Sequence, residues 1–296
     1  MSTTSQQAGG PAAGGPAAAK PDTTKAAVLQ TVAADLAAET DSLVTILAEL
    51  GKAAWDAPTP AEGWTIRDQV THLAFFDDAT LLAMNDPAAF VEQRAELLAL
   101  GDGFADVVAE RYRRLSGNQC LAWFSRSRAA LLAAYRDTEP HARLAWYGPD
   151  MGPASSATGR LMETWAHGQD VADTTGQIRE PSRRLRHVAD LGVRTFAFCF
   201  RLRGQPVPAA PVRVELDAPD DEHWTWGPAA AEDRITGTAL EFCLVVTQRR
   251  NVADTRLRVT GPVATEWSTI AQAFAGAPTD GRPAGRFAAL PVAGRS

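Results

Sequence analysis

From Thr23 to Leu50 the apolar side chains Leu29, Val32, Leu36, Leu43, Leu47 and Leu50 recur every three, four or seven residues. That spacing puts them on one face of a long amphipathic helix, which Gly51 stops. After a proline-bearing loop, Thr65 stands three residues before Asp68, the pattern of a capping box. The helix it opens turns Ile66, Val70, Leu73 and Phe76 inward and ends near Asn85-Asp86-Pro87. A third helical region is expected from Asn118 to Tyr135. A fourth runs from Ser155-Ser156 to Gly176 as its C-terminal glycine, and a fifth apolar-periodic stretch from Leu185 to Phe200 closes at Gly204.

Beyond Gly204 the pattern shortens. Residues 205–211 (QPVPAAP) read as a linker, because proline cannot continue a helix or pair in a ladder. The segments 212–216 (VRVEL), 223–227 (HWTWG), the apolar run Phe242–Val246, and 256–261 (RLRVTG) are expected to be short strands. A last helix is expected from Val263 to Phe274. The predicted fold class is therefore α+β: a helical bundle over 23–204 and a small α/β domain over 205–278. Flanking them are a disordered tail at 1–22, which has almost nothing to bury, and a flexible Gly/Pro/Arg-rich tail at 279–296.

Composition narrows the function. With 296 residues, 45% of them hydrophobic and 22% charged, the chain has the means to bury a sizeable core. A net charge of -6 without a block of Lys or Arg argues against nucleic acid as a partner, since neutralising phosphates takes clustered cations. No apolar stretch reaches the roughly 18 residues of a membrane-spanning helix, and no basic segment leads into an apolar one as in a secretory signal. Cys120, Cys199 and Cys243 lie far apart with no C-x-x-C spacing, which fits a reducing cytoplasm, and Cys199 and Cys243 read as buried small hydrophobes. No nucleophile elbow, Walker loop or Gly-x-Gly-x-x-Gly occurs, so serine-hydrolase, nucleotide-triphosphate and dinucleotide readings fall away.

The candidate chemistry lies on two of the predicted helices. Glu163 and His167 are four residues apart and so share a helix face, about 6 Å apart at Cβ. His72 sits beside the inward stripe of its own helix. A carboxylate and two imidazoles from two helices can hold one divalent cation and leave coordination positions open; spacing alone leaves open the alternative of a mild acid–histidine pair. Asp170, on much the same face as Glu163 and His167, is a candidate to orient a ligand imidazole or accept a proton, or else a solvated acid. Asp77 and Asp78 are expected at the rim, Gly159 and Gly168 as close-packing positions. Arg249 and Arg250 read either as a fork for an anionic group or as a solvated pair.

The segment Gly63-Trp64-Thr65-Ile66-Arg67-Asp68-Gln69-Val70-Thr71-His72-Leu73, the Glu163-x-x-x-His167 helix and the long first helix together resemble the DinB-like superfamily. More narrowly, they resemble the N-terminal domain of the mycothiol-dependent maleylpyruvate isomerases. That resemblance implies a four-helix bundle holding a divalent metal, usually zinc, through His72, Glu163 and His167. Phe242–Arg250 and Trp267–Gly276 resemble an actinobacterial metal-binding branch with a wyosine-base-formation-like C-terminal module; in the isomerases the corresponding tail is a sterol-carrier-like α/β domain. Implied with it is a metal-dependent transferase or isomerase acting on a small organic electrophile, with mycothiol as a cosubstrate. Two alternatives stay open: a metal-dependent hydrolase or tailoring enzyme of secondary metabolism, and a non-catalytic small-molecule-binding protein with a structural metal. The donor set suits Zn2+ first, with Ni2+, Fe2+ and Mn2+ as alternatives, and a homodimer is left open.

Overall fold

In the computed structural model, residues 23–287 are described; the tail expected over 1–22 and its counterpart over 288–296 lie outside them. Four long helices form the bundle: α1 (Thr23–Ala48), α2 (Ile66–Asn85), α5 (Gly117–Asp137) and α6 (Pro153–Thr175). Each of α1 and α2 packs on both α5 and α6. Local chemistry sets the ends that matter. At the start of α2 the Thr65 hydroxyl accepts from the Asp68 N–H while the Asp68 carboxylate accepts from the Thr65 N–H at 2.8 Å. These bonds satisfy donors that a helix N-terminus otherwise leaves unpaired. Pro153 opens α6, where a missing N–H costs nothing, and Gly176 ends it at φ 69°, a conformation that a Cβ would oppose.

Two short helices not expected from the sequence, α3 (Pro87–Leu98) and α4 (Phe104–Arg111), lie between α2 and α5 and bury Phe90, Leu97 and Val108 against Phe75, Phe76 and Ala79. The stretch expected as one helix from Leu185 to Phe200 breaks at Thr195 into α7 (Leu185–Arg194) and α8 (Phe196–Leu202).

The C-terminal part is a four-stranded sheet of order β2-β1-β3-β4, from β1 (Val212–Asp217), β2 (His223–Trp226), β3 (Asp233–Thr238) and β4 (Arg258–Thr260). Strand β1 is antiparallel to β2 and parallel to β3, with Val214 opposite both Trp226 and Ile235; β3 is antiparallel to β4. The sheet and two further helices, α9 (Ala239–Val246) and α10 (Pro262–Ile270), complete the α+β architecture. The apolar run at Phe242–Val246 is thus helix, not strand. Every residue from Glu241 to Val246 is buried, and a helix that is apolar all round carries no 3.6-residue signature to separate it from a buried strand. Strand β3 was hidden by its polar spelling, DRITGT, and α10 ends at Ile270, short of Phe274.

The boundary expected at 204/205 does not divide two cores. Leu29, Leu36, Leu131 and Trp165 of the bundle share one apolar cluster with Val214, Trp224, Phe242 and Trp267 beyond it. Residues 279–287, expected to belong to the flexible tail, are held against the bundle. Arg282 forms an ion pair with the fully buried Asp170, and the guanidinium of Arg250 lies 3.8 Å from the Phe287 ring centre.

Candidate metal centre

Helices α2 and α6 bring His72, Glu163 and His167 to one point: one ligand atom from each lies within 4.8 Å of the other two. Glu163 Oε2 is 3.0 Å from His167 Nε2 and 3.7 Å from His72 Nε2. Metal–ligand bonds of about 2.1 Å in a tetrahedron put neighbouring donors roughly 3.4 Å apart, and the two distances bracket that edge.

The imidazoles are prepared for such a role. The Oε1 atom of Gln69 bonds His167 Nδ1; an amide oxygen can only accept, so Nδ1 carries the proton and Nε2 presents its lone pair. That lone pair faces the Glu163 carboxylate at 3.0 Å, two acceptors that only a proton or a cation between them satisfies. Among the described residues His72 makes no hydrogen bond through either nitrogen: Nδ1 is buried without a partner, and Nε2 is beyond bonding distance of Glu163. Burial, and then the neighbouring His167 imidazole, push the His72 pKa down to about 4 against the pull of Glu163, so this imidazole is neutral at pH 7. Burial opposes ionisation of Glu163, yet the two imidazoles facing it, His167 first, hold its carboxyl well below the usual range. A neutral imidazole, an ionised carboxylate and a tautomer fixed by an outer hydrogen bond are what a divalent cation requires of its ligands.

Aromatic rings enclose the centre. Trp64 stacks on His167 with ring centres 5.8 Å apart and planes 15° from parallel, and Phe76 packs 4.6 Å from the His72 ring. Trp64 is itself held by its indole N–H, which donates to Asp106 at 2.7 Å. His72 and Glu163 open onto a cavity of about 630 Å³. Phe76 of α2, Leu98 of α3, Phe104 of α4, the 146–151 loop, the 155–163 face of α6 and residues 273–277 enclose it.

Other expected residues lie elsewhere. Asp170 does not reach either imidazole. Its carboxylate is fully buried between Arg282 and Arg249, the latter at 3.1 Å, and Gln69 takes the orienting place expected of it. Arg249 and Arg250 are neither solvated nor free for an anion: Arg249 also donates to the carbonyls of Ala166 and Thr247, and Arg250 grips Asp173 at 2.7 and 2.8 Å. Asp77 is no rim residue but a buried partner of Arg128 at 2.7 Å, whereas Asp78 is exposed and accepts from the Trp123 indole. At Gly168 a Cβ would stand 3.2 Å from the Arg179 guanidinium, so this glycine does permit a close approach; at Gly159 it would meet nothing within 4 Å.

Two residues of the site escaped the sequence reading, Gln69 and Arg160. Both were legible as helix spacing: Gln69 precedes His72 by three residues, and Arg160 stands three and seven residues before Glu163 and His167.

Comparison with known proteins bears on the same helices. Residues 36–172 match the mycothiol maleylpyruvate isomerase N-terminal domain. Two uncharacterized proteins of Mycobacterium tuberculosis, from different strains, are each 44% identical over 249 residues, covering 84% of this chain and 97% of the relative. Two crystal structures of the mycothiol-dependent maleylpyruvate isomerase, one of them a mutant, align with TM-scores of 0.49 and 0.48 at 16% identity. The alignments cover 78% of this chain and 90% of each of theirs. The domain match ends within α6 and does not reach the segments at 242–276 expected to resemble a wyosine-base-formation-like module.

Proposed function

The chain belongs to the mycothiol maleylpyruvate isomerase N-terminal domain family, and on that premise we propose that it is a metal-dependent enzyme of the thiol-dependent isomerase or transferase type. Its substrate is a small organic electrophile bound in the α2–α6 cavity, and mycothiol is the cosubstrate the family suggests. The observation that carries this reading is the convergence of His72 Nε2, Glu163 Oε2 and His167 Nε2 on the wall of a cavity of about 630 Å³, a size ordinary for small-molecule sites.

A divalent cation held by those atoms, Zn2+ first, supplies Lewis acidity and lowers the pKa of a thiol or water bound to it. The chain's own contribution is positional. Gln69 holds the His167 tautomer, Glu163 brings one negative charge to the point where the imidazoles meet, and Trp64 and Phe76 shield the two rings from water. His72 and Glu163 face the cavity, so a reactant there approaches the ligand atoms directly. A site meant only to brace the fold has no need of such an opening, which favours catalysis over a structural metal. The three cysteines are buried free thiols, in keeping with a cytoplasmic location, and no helix among the described residues is long and apolar enough to cross a membrane.

Metal analysis of the purified protein and of His72→Ala and His167→Ala variants tests the ligand set. The expectation is about one equivalent in the parent and loss in both variants; stoichiometric metal persisting in both overturns the assignment. Isomerisation of maleylpyruvate and related electrophiles, followed by absorbance with and without mycothiol, tests the reaction. Turnover that needs no thiol would replace this reading with that of a metal-dependent hydrolase or tailoring enzyme.

A further inference from the structure

We propose that Arg160 is the receptor for a carboxylate group of the substrate, and that the rest of that substrate is apolar. The inference deepens the reading of the α2–α6 cavity as the substrate site and rests on it. Arg160 lies one helical turn before Glu163 on α6, and both line the cavity. Its side chain is only 4% exposed, yet among the described residues it donates no hydrogen bond, and Nη1 is buried without a partner. The carboxylate closest to it is that of Asp77, with Oδ1 3.9 Å from Nε, too far to bond.

Asp77 is also already engaged. Arg128 donates to its Oδ2 at 2.7 Å and to its Oδ1 at 3.1 Å, and the remaining reach of Arg128 is taken up by Thr40 and Thr164. Arg128 and Asp77 cancel, which leaves the charge of Arg160 over. Glu163 does not cancel it, because its carboxylate is turned to His167. A buried guanidinium with unused donors is costly unless an anion completes it, and its planar fork matches a carboxylate with two parallel hydrogen bonds.

The surroundings define the rest of the ligand. The Phe76 ring centre lies 5.8 Å from the Arg160 guanidinium carbon, and Leu98, Phe104, Trp146 and Phe274 face the same space. Gly159, the residue before Arg160, also lines the cavity, with open space where a Cβ would stand. Apart from the candidate ligands, Asp102, Asp150, Ser155 and Ser156, the wall around this cationic fork is aromatic and aliphatic or backbone glycine, which selects a largely apolar body bearing a single acid group.

Calorimetric titration of the full chain with 3-phenylpropionate and with the isosteric 3-phenylpropionamide tests this. The acid is expected to bind at least about tenfold more tightly than the amide, the discrimination a charge-assisted pair provides. In Arg160→Gln the two probes should agree within about twofold, and Arg160→Lys should restore part of the preference. Arg160→Gln removes an unpaired charge and strands no carboxylate, so the variant is expected to fold; Arg160→Met, titrated alongside, gives a second check. Equal binding of acid and amide, no acid binding at millimolar concentration, or acid preference surviving in Arg160→Gln overturns the proposal. Metal content and a repeat titration after chelation separate it from the proposed metal chemistry. Acid preference in a protein that holds no stoichiometric metal would sink the metal reading alone. Stoichiometric metal that depends on His72, without acid preference, would sink the Arg160 assignment alone.

Discussion

The side-chain amide of Gln69 bridges two helices, accepting at Oε1 from His167 Nδ1 on α6 while its Nε2 donates to Thr59 Oγ1 at 2.8 Å. Both ends of the amide are used and the residue is fully buried, so the bridge holds the imidazole in one orientation and one tautomer. Gln69→Leu is expected to weaken metal binding by about 10- to 100-fold while leaving the ligand residues intact. Competition with a chromogenic chelator measures it; unchanged affinity would show that the bridge does not position His167.

Asp77 and Arg128 form a buried pair in the same bundle, both nearly inaccessible to water. Removing the carboxylate leaves the Arg128 guanidinium without a counter-charge, beside the already unpaired Arg160. Asp77→Ala is therefore expected to cost about 3–5 kcal/mol in urea unfolding. Asp78→Ala, its exposed neighbour, should cost no more than about 1 kcal/mol. Similar losses at the two positions would refute the distinction.

Gly159 sits in the middle of α6 with open space where a Cβ would stand. Gly159→Ala should raise stability by about 0.5–1 kcal/mol, since alanine loses less backbone entropy in a helix. The larger Gly159→Leu should instead fill the cavity and abolish ligand binding without unfolding the protein. Thermal melts and titrations of both variants read the two effects separately; a destabilised Gly159→Ala would mean the space is closed in solution.

Alkaline pH should weaken the fold. Burial pushes the Cys120 thiol from 9.0 up to about 11 and raises Cys199, Cys243, Tyr135 and Tyr147 in the same direction. A raised folded-state pKa means the native protein holds these protons more tightly than the unfolded chain. The stability they contribute is complete below about pH 9 and is lost as pH climbs through about 11. Urea midpoints taken from pH 8 upward should fall steadily above about pH 9; a flat profile there would contradict the burial of these groups.

What the sequence determined by itself was whatever a local period or a cap can encode. The leucine spacing of α1, the Thr65–Asp68 box, the Pro153 and Gly176 ends of α6, and the Glu163–His167 pair all depend on residues within one or two turns of each other. Helix spacing put His72 beside the inward stripe of α2 and resemblance joined it to that pair, and the fold brings one ligand atom from each within 4.8 Å of the others. Other features depended on partners distant in the chain. Only tertiary packing decided that Phe242–Val246 coils, because burial on every side erases periodicity. Asp170 could be assigned only once Arg282, 112 residues away, was seen to reach it. The same holds for Arg160: its position on the ligand face of α6 was written in the sequence, but its unspent charge was not. That charge exists because Arg128, from another helix, has taken Asp77 first, and competition for a counter-ion among side chains remote in sequence is settled by where the folded chain puts them.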